Sequence, residues 1–373
     1  MASDKKNIVI IGGGIIGSTS AYFLTRHPAF NPALHTITLL EATKVAGGAS
    51  GKAGGLLALW AYPTSIVPLS YRLHAQLAKE HGGEERWGYR RVHVGQVECR
   101  GRSLPAKSSV KGKDREMDGQ NGTPNGKGEA RVSLQKRTRE ALGKLTAAGV
   151  PADLDWVDPD ALCGYDEMGT PDTTAQVHPY QFTTSMASLA EEKGAKVILG
   201  SVTAINQRND AVESVTYTDK TTGEKHTIPA SDVVIAAGPW TKKRDHPAYT
   251  RGIGVRPLHR DPTPHRLRQP LQRIEQEEQR CQDIVDYVGS ISDELRDGEV
   301  TARQACYLPN VQARGSNGPL IGETGVKGLL MASGHTCWGI QNGPGTGKVI
   351  SEFVFEGGAK SAQIGALDPR RVL

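Results

Sequence analysis

The sequence lacks the features that mark secreted, zinc-binding or membrane-spanning proteins. Only 5 of its 373 residues are cysteine and none forms a Cys-x-x-Cys pair, so we expect neither a disulfide framework nor structural zinc. No run approaches the roughly 20 apolar residues that a membrane span needs. Gly12, Gly13 and Gly14 interrupt the first apolar run, unlike a signal peptide, and the final residues lack a peroxisomal Ser-Lys-Leu. We therefore expect a cytoplasmic protein without a membrane span.

Positive charge is too dispersed to indicate a nucleic-acid partner. The formal net charge is +5 and the isoelectric point is near 8.8, but the basic residues are spread out apart from a cluster after Trp240. His246, His259 and His265 lie in that cluster without regular spacing or nearby cysteines, so no metal site is predicted. A small molecule is the expected partner.

Two segments have little apolar patterning. Residues 101–131 are polar and almost free of large apolar side chains, so they cannot offset the entropy of ordering, and we expect a disordered surface insertion. Residues 241–280 are rich in Arg, Pro, His and Gln and show no strand-like alternation. We interpret this second segment as irregular, and as a defective or divergent stretch of the chain.

The N-terminal region predicts a strand, a glycine turn, a helix and a second strand. Gly12, Gly14 and Gly17 form a Gly-x-Gly-x-x-Gly pattern between the strand NIVII and the helix STSAYFLTRH. The first glycine permits a tight turn, the second lets a pyrophosphate approach the backbone, and the third lets helix and strand pack closely. Ile15 and Ile16 open the helix, whose N-terminus attracts the anion. This context predicts a dinucleotide-binding loop.

An acidic residue at the end of the second strand narrows the choice of cofactor. Glu41 ends TITLLE, where a carboxylate accepts hydrogen bonds from a ribose and repels a 2′-phosphate. NADP is therefore disfavoured, while NAD and the adenosine half of FAD both remain. A second glycine-rich run, GGASGKAGGLLA, follows over residues 47–58 and is expected to lie along a ligand.

Later segments predict a second contribution to a sheet. A helix over residues 183–193 precedes the strand AKVILGSVTAI, a hairpin and the buried strand DVVIAAGPW. Beyond residue 280 we expect a helix at DIVDYVGSISDEL, strands at TARQACYLP and GLLMASG, and a helix from about residue 345 to 356.

Together these motifs resemble the D-amino-acid oxidase and glycine oxidase (DAO) family of FAD-dependent oxidoreductases, and most closely a little-characterised fungal subgroup. The resemblance extends over residues 7 to about 240 and 281 to about 357. It implies an α/β fold in which a discontinuous, Rossmann-like FAD-binding domain joins an α+β substrate domain built on an antiparallel sheet. In other members of the family, the region that corresponds to residues 241–280 is expected to carry strands of the substrate domain.

The resemblance implies a domain assignment as well. We expect the FAD-binding domain to comprise residues 1–85, 175–240 and 318–358. The substrate domain would comprise residues 86–174 and 241–317.

The family resemblance further implies which residues contact FAD. Small residues of the second glycine run would lie along the pyrophosphate and flavin, Val202 would flank the adenine, and Trp240 would pack beneath a strand end close to the cofactor. Backbone amides of the loop GHTCWGIQNGPGTGK and the next helix N-terminus would face the flavin pyrimidine and stabilise the reduced, anionic flavin. The contacts expected after Glu41 are Ala49, Ser50, Gly51, Gly54, Gly55, Val202, Ala237, Gly238, Trp240, Gly334, His335, Gly339 and Ile340.

Three side chains have expected roles with plain structural alternatives. Arg303 lies where family members often place a cation for a substrate carboxylate, although it could equally be a surface arginine. Cys306 lies near where sarcosine-oxidase-like members attach FAD covalently, although a free cysteine is more often simply buried. His335 is expected at the flavin rim as a proton-handling residue, or as a structural histidine.

The resemblance implies oxidation of a carbon–nitrogen bond in an amine or amino acid. A neutral amine would lose a hydride to the flavin, the imine would be hydrolysed, and oxygen or another acceptor would reoxidise the cofactor. No strong general base is needed, since the amine reacts deprotonated. Two alternatives stay open: an FAD-binding protein that acts by interaction, and an NAD-dependent dehydrogenase.

Overall fold

The computed structural model describes residues 5–103, 149–241, 255–257, 277–311 and 318–373. Apart from its first three residues, the predicted insertion lies outside this part of the chain. Most of the predicted irregular segment, residues 241–280, also lies outside it.

Two compact units make up the chain. The first comprises Met1–Val94, Gly169–Glu275 and Ala305–Leu373, and the second comprises Gly95–Met168 and Gln276–Gln304. The predicted division into FAD-binding and substrate domains stays a prediction.

The strands of both units are numbered in chain order. They are β1 (Lys6–Ile11), β2 (His35–Glu41), β3 (Leu56–Ala58), β4 (Arg90–Arg91), β5 (Val94–Cys99), β6 (Leu162–Gly169), β7 (Thr174–Gln176), β8 (Lys196–Arg208), β9 (Ala211–Asp219), β10 (Lys225–Pro229), β11 (Asp232–Ile235), β12 (Val255–Pro257), β13 (Pro309–Val311), β14 (Leu320–Glu323) and β15 (Leu329–Ser333). The helices are α1 (Ile15–Thr25), α2 (Val67–His81), α3 (Gly83–Trp87), α4 (Pro179–Glu191), α5 (Glu278–Ile291), α6 (Asp293–Arg296) and α7 (Gly339–Glu356).

An 8-stranded sheet forms the centre of the first unit, in the order β10-β9-β8-β2-β1-β11-β15-β14. The neighbours β8, β2, β1, β11 and β15 run parallel, while β9, β10 and β14 pair antiparallel at the two sides. Because parallel strands point the same way, their carboxyl ends meet at one edge, which is where ligands bind in such sheets.

Alternating side chains of β1 bury both faces of the sheet. Ile8 and Ile10 belong to the core cluster that also contains α1, α2, α4 and α7 side chains, whereas Val9 and Ile11 pack with the cluster built on β9 and β11. The continuous apolar run of β1 thus reflects a strand buried on two sides.

The second unit contains the pair β5 and β6 with α5 and α6. Arg102 joins its parts, because its guanidinium lies 2.6 Å from Asp158 Oδ2 and 2.6 Å from Asp293 Oδ1. Among the described residues, no helix is long and apolar enough to cross a membrane.

Several sequence-based element predictions are corrected. The strand predicted at TARQACYLP is wrong. Residues 301–308 have no regular secondary structure, and the short strand β13 begins only at Pro309. The expected helix after residue 280 is divided at Ser292, whose Oγ accepts a hydrogen bond from Leu295 N–H at 3.1 Å and so starts a new helix. The last helix begins at Gly339 rather than near residue 345, and β11 ends at Ile235 within DVVIAAGPW.

Candidate functional site

The predicted glycine loop lies at the carboxyl edge of the sheet, directly after β1. Gly12 has φ +110°, and a Cβ built on it would lie 2.5 Å from the Ala236 carbonyl oxygen at the end of β11. A Cβ on Gly17 would lie 1.9 Å from the Gly12 carbonyl oxygen. Both positions therefore require glycine, for the turn and for the close approach of helix and strand.

The two glycine-rich runs meet at the N-terminus of α1. Ile15 N–H donates to Ser50 Oγ at 2.9 Å, and a Cβ on Gly14 would lie 3.0 Å from the same oxygen. Ala46 N–H donates to the Gly13 carbonyl at 3.0 Å. Ser50 lies in the 3-10 turn Ala49–Gly51, so three predicted contacts of the second run stand beside the helix end that attracts an anion.

The carboxylate of Glu41 supports the same loop. Its Oε2 accepts a hydrogen bond from Gly13 N–H at 2.8 Å, and its Oε1 accepts from Thr43 N–H at 2.7 Å. In the neighbouring strand β8, Leu199 pairs with Glu41, and Val202 follows at a β-bulge. Glu41 and Val202 thus lie at the same edge of the sheet. Both carboxylate oxygens of Glu41 accept hydrogen bonds from the protein itself.

The segment after β11 joins this edge. The Gly238 carbonyl accepts hydrogen bonds from Thr241 Oγ1 at 2.7 Å and from Ser333 Oγ at 3.1 Å, which links β11 to β15. Trp240 is 43% exposed, and its ring lies 3.7 Å from a Cβ built on Gly48. The ring therefore flanks the second glycine run.

The loop between β15 and α7 carries a buried, neutral histidine. His335 is buried, and its Nε2 lies 3.0 Å from Thr346 Oγ1. Burial lowers the pKa of His335 to about 3, so the ring is uncharged near neutral pH. Gly334, which precedes it, has φ +86°, and a Cβ there would lie 2.2 Å from Val311 Cγ2. The contact between His335 Nε2 and Thr346 Oγ1 connects this loop to α7.

Two helix N-termini lie side by side at this edge. A Cβ built on Gly339, the first residue of α7, would lie 3.8 Å from Ile15 Cγ2 at the start of α1. Ile15, Ile16 and Ile340 are buried between the helices, so they position backbone amides rather than offering side chains to a ligand. Together the two helix ends present partial positive charge to one region.

An aromatic cluster that the sequence reasoning missed adjoins α7. The rings of Trp60 and Trp338 are 5.4 Å apart at 87°, and those of Tyr62 and Trp338 are 5.9 Å apart at 77°. Trp60 and Tyr62 are 41% and 46% exposed, and Trp338 Nε1 is buried without a hydrogen-bond partner in the part of the chain that the structure describes. The only signal in the sequence was the Leu-Trp-Ala-Tyr that follows β3.

Among the residues that the structure describes, neither Arg303 nor Cys306 contacts the residues of this constellation through its side chain. Arg303, in the second unit, lies 3.5 Å from Glu278 Oε2 and donates to Gln282 Oε1 at 2.9 Å. Cys306 is an exposed free thiol in the first unit. Its neighbour Ala305 accepts a hydrogen bond from Lys52 Nζ at 2.7 Å, which connects this segment to the second glycine run.

These residues fit a dinucleotide that carries a flavin. In the part of the chain that the structure describes, no atom of a non-adjacent residue lies within 4 Å of a Cβ built on Gly54 or on Gly238. At Gly55, with φ +78°, a Cβ would lie 2.0 Å from the Val177 carbonyl oxygen, which fixes the course of the run. The two helix ends would hold the pyrophosphate and the flavin pyrimidine, and Glu41 stands where a ribose is bound.

Comparisons with known proteins agree with the fold and with FAD as the cofactor. Residues 7–276 match the model of the DAO family, described as FAD dependent oxidoreductase. The chain is 31% identical to "Putative oxidoreductase TDA3" of Saccharomyces cerevisiae over 494 residues, which cover 98% of this chain and 94% of that protein. It is 28% identical to "Putative oxidoreductase C1F5.03c" of Schizosaccharomyces pombe over 425 residues, which cover 98% of each. Both alignments exceed the length of the chain, so both relatives carry residues without a counterpart here.

Solved structures share the fold at low sequence identity. Glycine oxidase from Bacillus cereus superposes with a TM-score of 0.63 at 19% identity, covering 95% of this chain and 98% of that one. L-proline dehydrogenase from P. horikoshii gives 0.61 at 15% identity, covering 99% and 98%. The choice between NAD and FAD is decided for FAD by the family match. This chain belongs to the DAO family of FAD-dependent oxidoreductases.

Proposed function

We propose that this oxidoreductase acts on the carbon–nitrogen bond of a small amine or amino acid. The observation that carries the proposal is the aromatic cluster of Trp60, Tyr62 and Trp338. Trp338 directly precedes α7, so the cluster supplies an apolar wall beside the helix end that would face the flavin. Solved structures of the same fold include a glycine oxidase, an L-proline dehydrogenase and an L-amino acid deaminase. Bound FAD would accept a hydride from the carbon next to the substrate nitrogen.

The chain's own contribution is position and electrostatics. Backbone amides at Gly339 and Ile340 and the positive end of α7 would stabilise negative charge that develops on the flavin pyrimidine. The exposed rings of Trp60 and Tyr62 would exclude water from the reacting carbon and orient the substrate.

His335 fits this proposal as a residue that keeps its ring neutral. With a pKa of about 3 and Nε2 bound to Thr346 Oγ1, it is a weak acceptor of the substrate proton. We propose that it fixes the loop between β15 and α7 at the flavin rim, and that the amine enters already deprotonated.

Arg303 would bind a substrate carboxylate only after exchanging its contacts with Glu278 and Gln282. The proposal therefore places amines without a carboxylate beside amino acids as substrates. Covalent attachment of FAD through the exposed Cys306 also belongs to the proposal. We keep oxygen or another acceptor, and the cytoplasm, as the expected electron acceptor and location.

Spectroscopy of the purified protein tests the function directly. We expect flavin absorption that bleaches anaerobically on addition of at least one compound from a panel of small amines and amino acids, and that returns with oxygen or a dye. Gly14→Asp, which puts a carboxylate at the pyrophosphate position, is expected to remove both the absorption and the bleaching.

The competing function is FAD binding in the service of a protein interaction. This alternative is motivated by the fungal relatives, because both contain residues that have no counterpart in this chain. A yellow protein that no compound of the panel reduces, although dithionite does, would favour it. Acid precipitation of the wild type and of Cys306→Ser tests the covalent link. If FAD is bound to Cys306, the wild-type pellet stays yellow and the Cys306→Ser pellet is colourless.

A further inference from the structure

A proline lies within the first turns of α7, the helix that begins at the candidate flavin site. Pro344 is the sixth residue of Gly339–Glu356. Proline has no backbone N–H, so the carbonyl four residues earlier, that of Ile340, loses its ordinary helical donor and is crowded by the proline ring. The turn that carries Gly339 and Ile340 therefore needs support from elsewhere.

His74 of α2 supplies the missing donor. Its Nε2 lies 3.0 Å from the Ile340 carbonyl oxygen, and it is buried completely. A carbonyl only accepts, so Nε2 carries the proton, and Nδ1 has no hydrogen-bond partner among the residues described. Burial lowers the pKa of His74 to about 4, so the ring is neutral near neutral pH. The site holds a histidine for its N–H rather than for its charge.

Ser70 lies one turn before His74 on the same face of α2 and contacts the other side of the proline. Its Oγ accepts a hydrogen bond from Gly345 N–H at 3.1 Å and donates to the Asn342 carbonyl at 3.4 Å. A Cβ on Gly345 would lie 2.2 Å from Ser70 Oγ, so only glycine allows this contact. Backbone groups on both sides of the proline thus bind one face of α2.

We propose that His74 and Ser70 are positioning residues for the flavin, which hold the first turn of α7 in the direction that points its N-terminal amides at the cofactor. The inference rests on the proposed function only in placing α7 against the flavin. It concerns how the cofactor is held and tuned, and is independent of the identity of the substrate.

The decisive comparison is a set of His74 variants in two backgrounds. His74→Leu keeps apolar bulk and removes the donor, whereas His74→Gln keeps an N–H that can reach a carbonyl. We expect His74→Leu to weaken FAD binding about tenfold and to lower the flavin reduction potential, and His74→Gln to restore most of both. Pro344→Ala supplies a backbone N–H that can donate to the Ile340 carbonyl. In that background, His74→Leu should therefore change FAD binding and the reduction potential very little.

The measurements are the FAD dissociation constant and a dye-referenced reductive titration of the holoenzyme, with amide exchange of α7 as a structural readout. Equal effects of His74→Leu in both backgrounds, or a loss of stability with an unchanged potential, would overturn the proposal. Should His74→Leu fail to fold, folding restored by Pro344→Ala supports it and failure in both backgrounds refutes it. The titration uses no amine. These shifts in a flavoprotein that no compound of the amine panel reduces would therefore leave the inference standing while the proposed function fails.

Discussion

At the scale of single residues, Glu41 makes a specific prediction. Its carboxylate accepts hydrogen bonds from Gly13 N–H and from the N–H and Oγ1 of Thr43, at 2.8, 2.7 and 2.8 Å. In Glu41→Gln, the NH₂ group of the amide would face Gly13 or Thr43, whose groups also donate hydrogen bonds, so at least one of these hydrogen bonds is lost. We expect about 1–2 kcal/mol lower stability and about tenfold weaker FAD binding, measured by urea unfolding and flavin fluorescence.

Thr43→Val is the matched control for Glu41→Gln. It removes only the hydroxyl donor, so we expect a smaller loss of FAD affinity than Glu41→Gln causes. Equal losses for the two variants would mean that Glu41 acts through Thr43 and does not support the glycine loop.

At the residue scale, sequence patterns are most informative where the backbone dictates the residue. Gly12 and Gly17 could be identified because only glycine fits beside the Ala236 and Gly12 carbonyl oxygens. His74 and Trp338 could not, since their contacts join residues distant along the chain. The ion pair of Arg303 with Glu278 could not be predicted either, because no sequence pattern indicates it.

At the scale of elements, Glu352 links the end of α7 to the following chain. It is buried, and its Oε2 accepts hydrogen bonds from Lys360 N–H at 2.7 Å and Ser361 N–H at 3.0 Å, while Lys348 Nζ lies 3.5 Å from its Oε1. Burial by itself raises the pKa of Glu352, but the hydrogen bonds from Ser361 and Lys360 and the charge of Lys348 outweigh it and leave the pKa lowered. The carboxylate form therefore stabilises the folded state.

The pH dependence of Glu352→Gln follows from the sign of that shift. Because the folded-state pKa lies below the unfolded one, the stabilisation is complete above the ordinary glutamate pKa of 4.5 and is lost as pH falls through the folded value. We expect a loss of about 1–2 kcal/mol at neutral pH that shrinks in acid, measured by urea unfolding. Glu213→Gln, on an exposed pair with Arg208, is the control and should change little at any pH. A loss that stayed constant in acid would contradict this account.

Element predictions were most accurate where periodicity is local. The strand, glycine turn, helix and strand from β1 to β2 were found because apolar runs and glycines lie within one short stretch. The start of α7 was placed too late because glycines and Pro344 disfavour a helix locally, and the contacts with Ser70 and His74 that compensate come from α2. The strand expected at residues 301–308 failed because apolar content alone does not provide a neighbouring strand.

At the scale of the whole molecule, the parallel sheet joins segments that the sequence separates widely. Ile8 in β1 pairs with Asp232 in β11, and Val233 in β11 pairs with Leu329 in β15. A discontinuous cofactor domain was predictable because of the family resemblance, whereas the strand order could not be derived from periodicity. The proposed cofactor site depends on this strand order, since the loops that would form it follow β1, β2, β11 and β15.

This architecture predicts that FAD stabilises distant parts of the first unit together. At free FAD about 100 times its dissociation constant, a ligand that binds only the folded state adds about 2.7 kcal/mol to the free energy of unfolding. Hydrogen exchange should slow concurrently in residues 12–17, 41–51, 236–240 and 334–340, which would form the proposed FAD site. Residues 360–367 follow the far end of the 18-residue helix α7, about 27 Å from its start, and serve as the internal control, whose exchange should slow less. Protection confined to residues 12–17 and 41–51 would mean that only the adenosine half is held, and that α7 does not face the flavin.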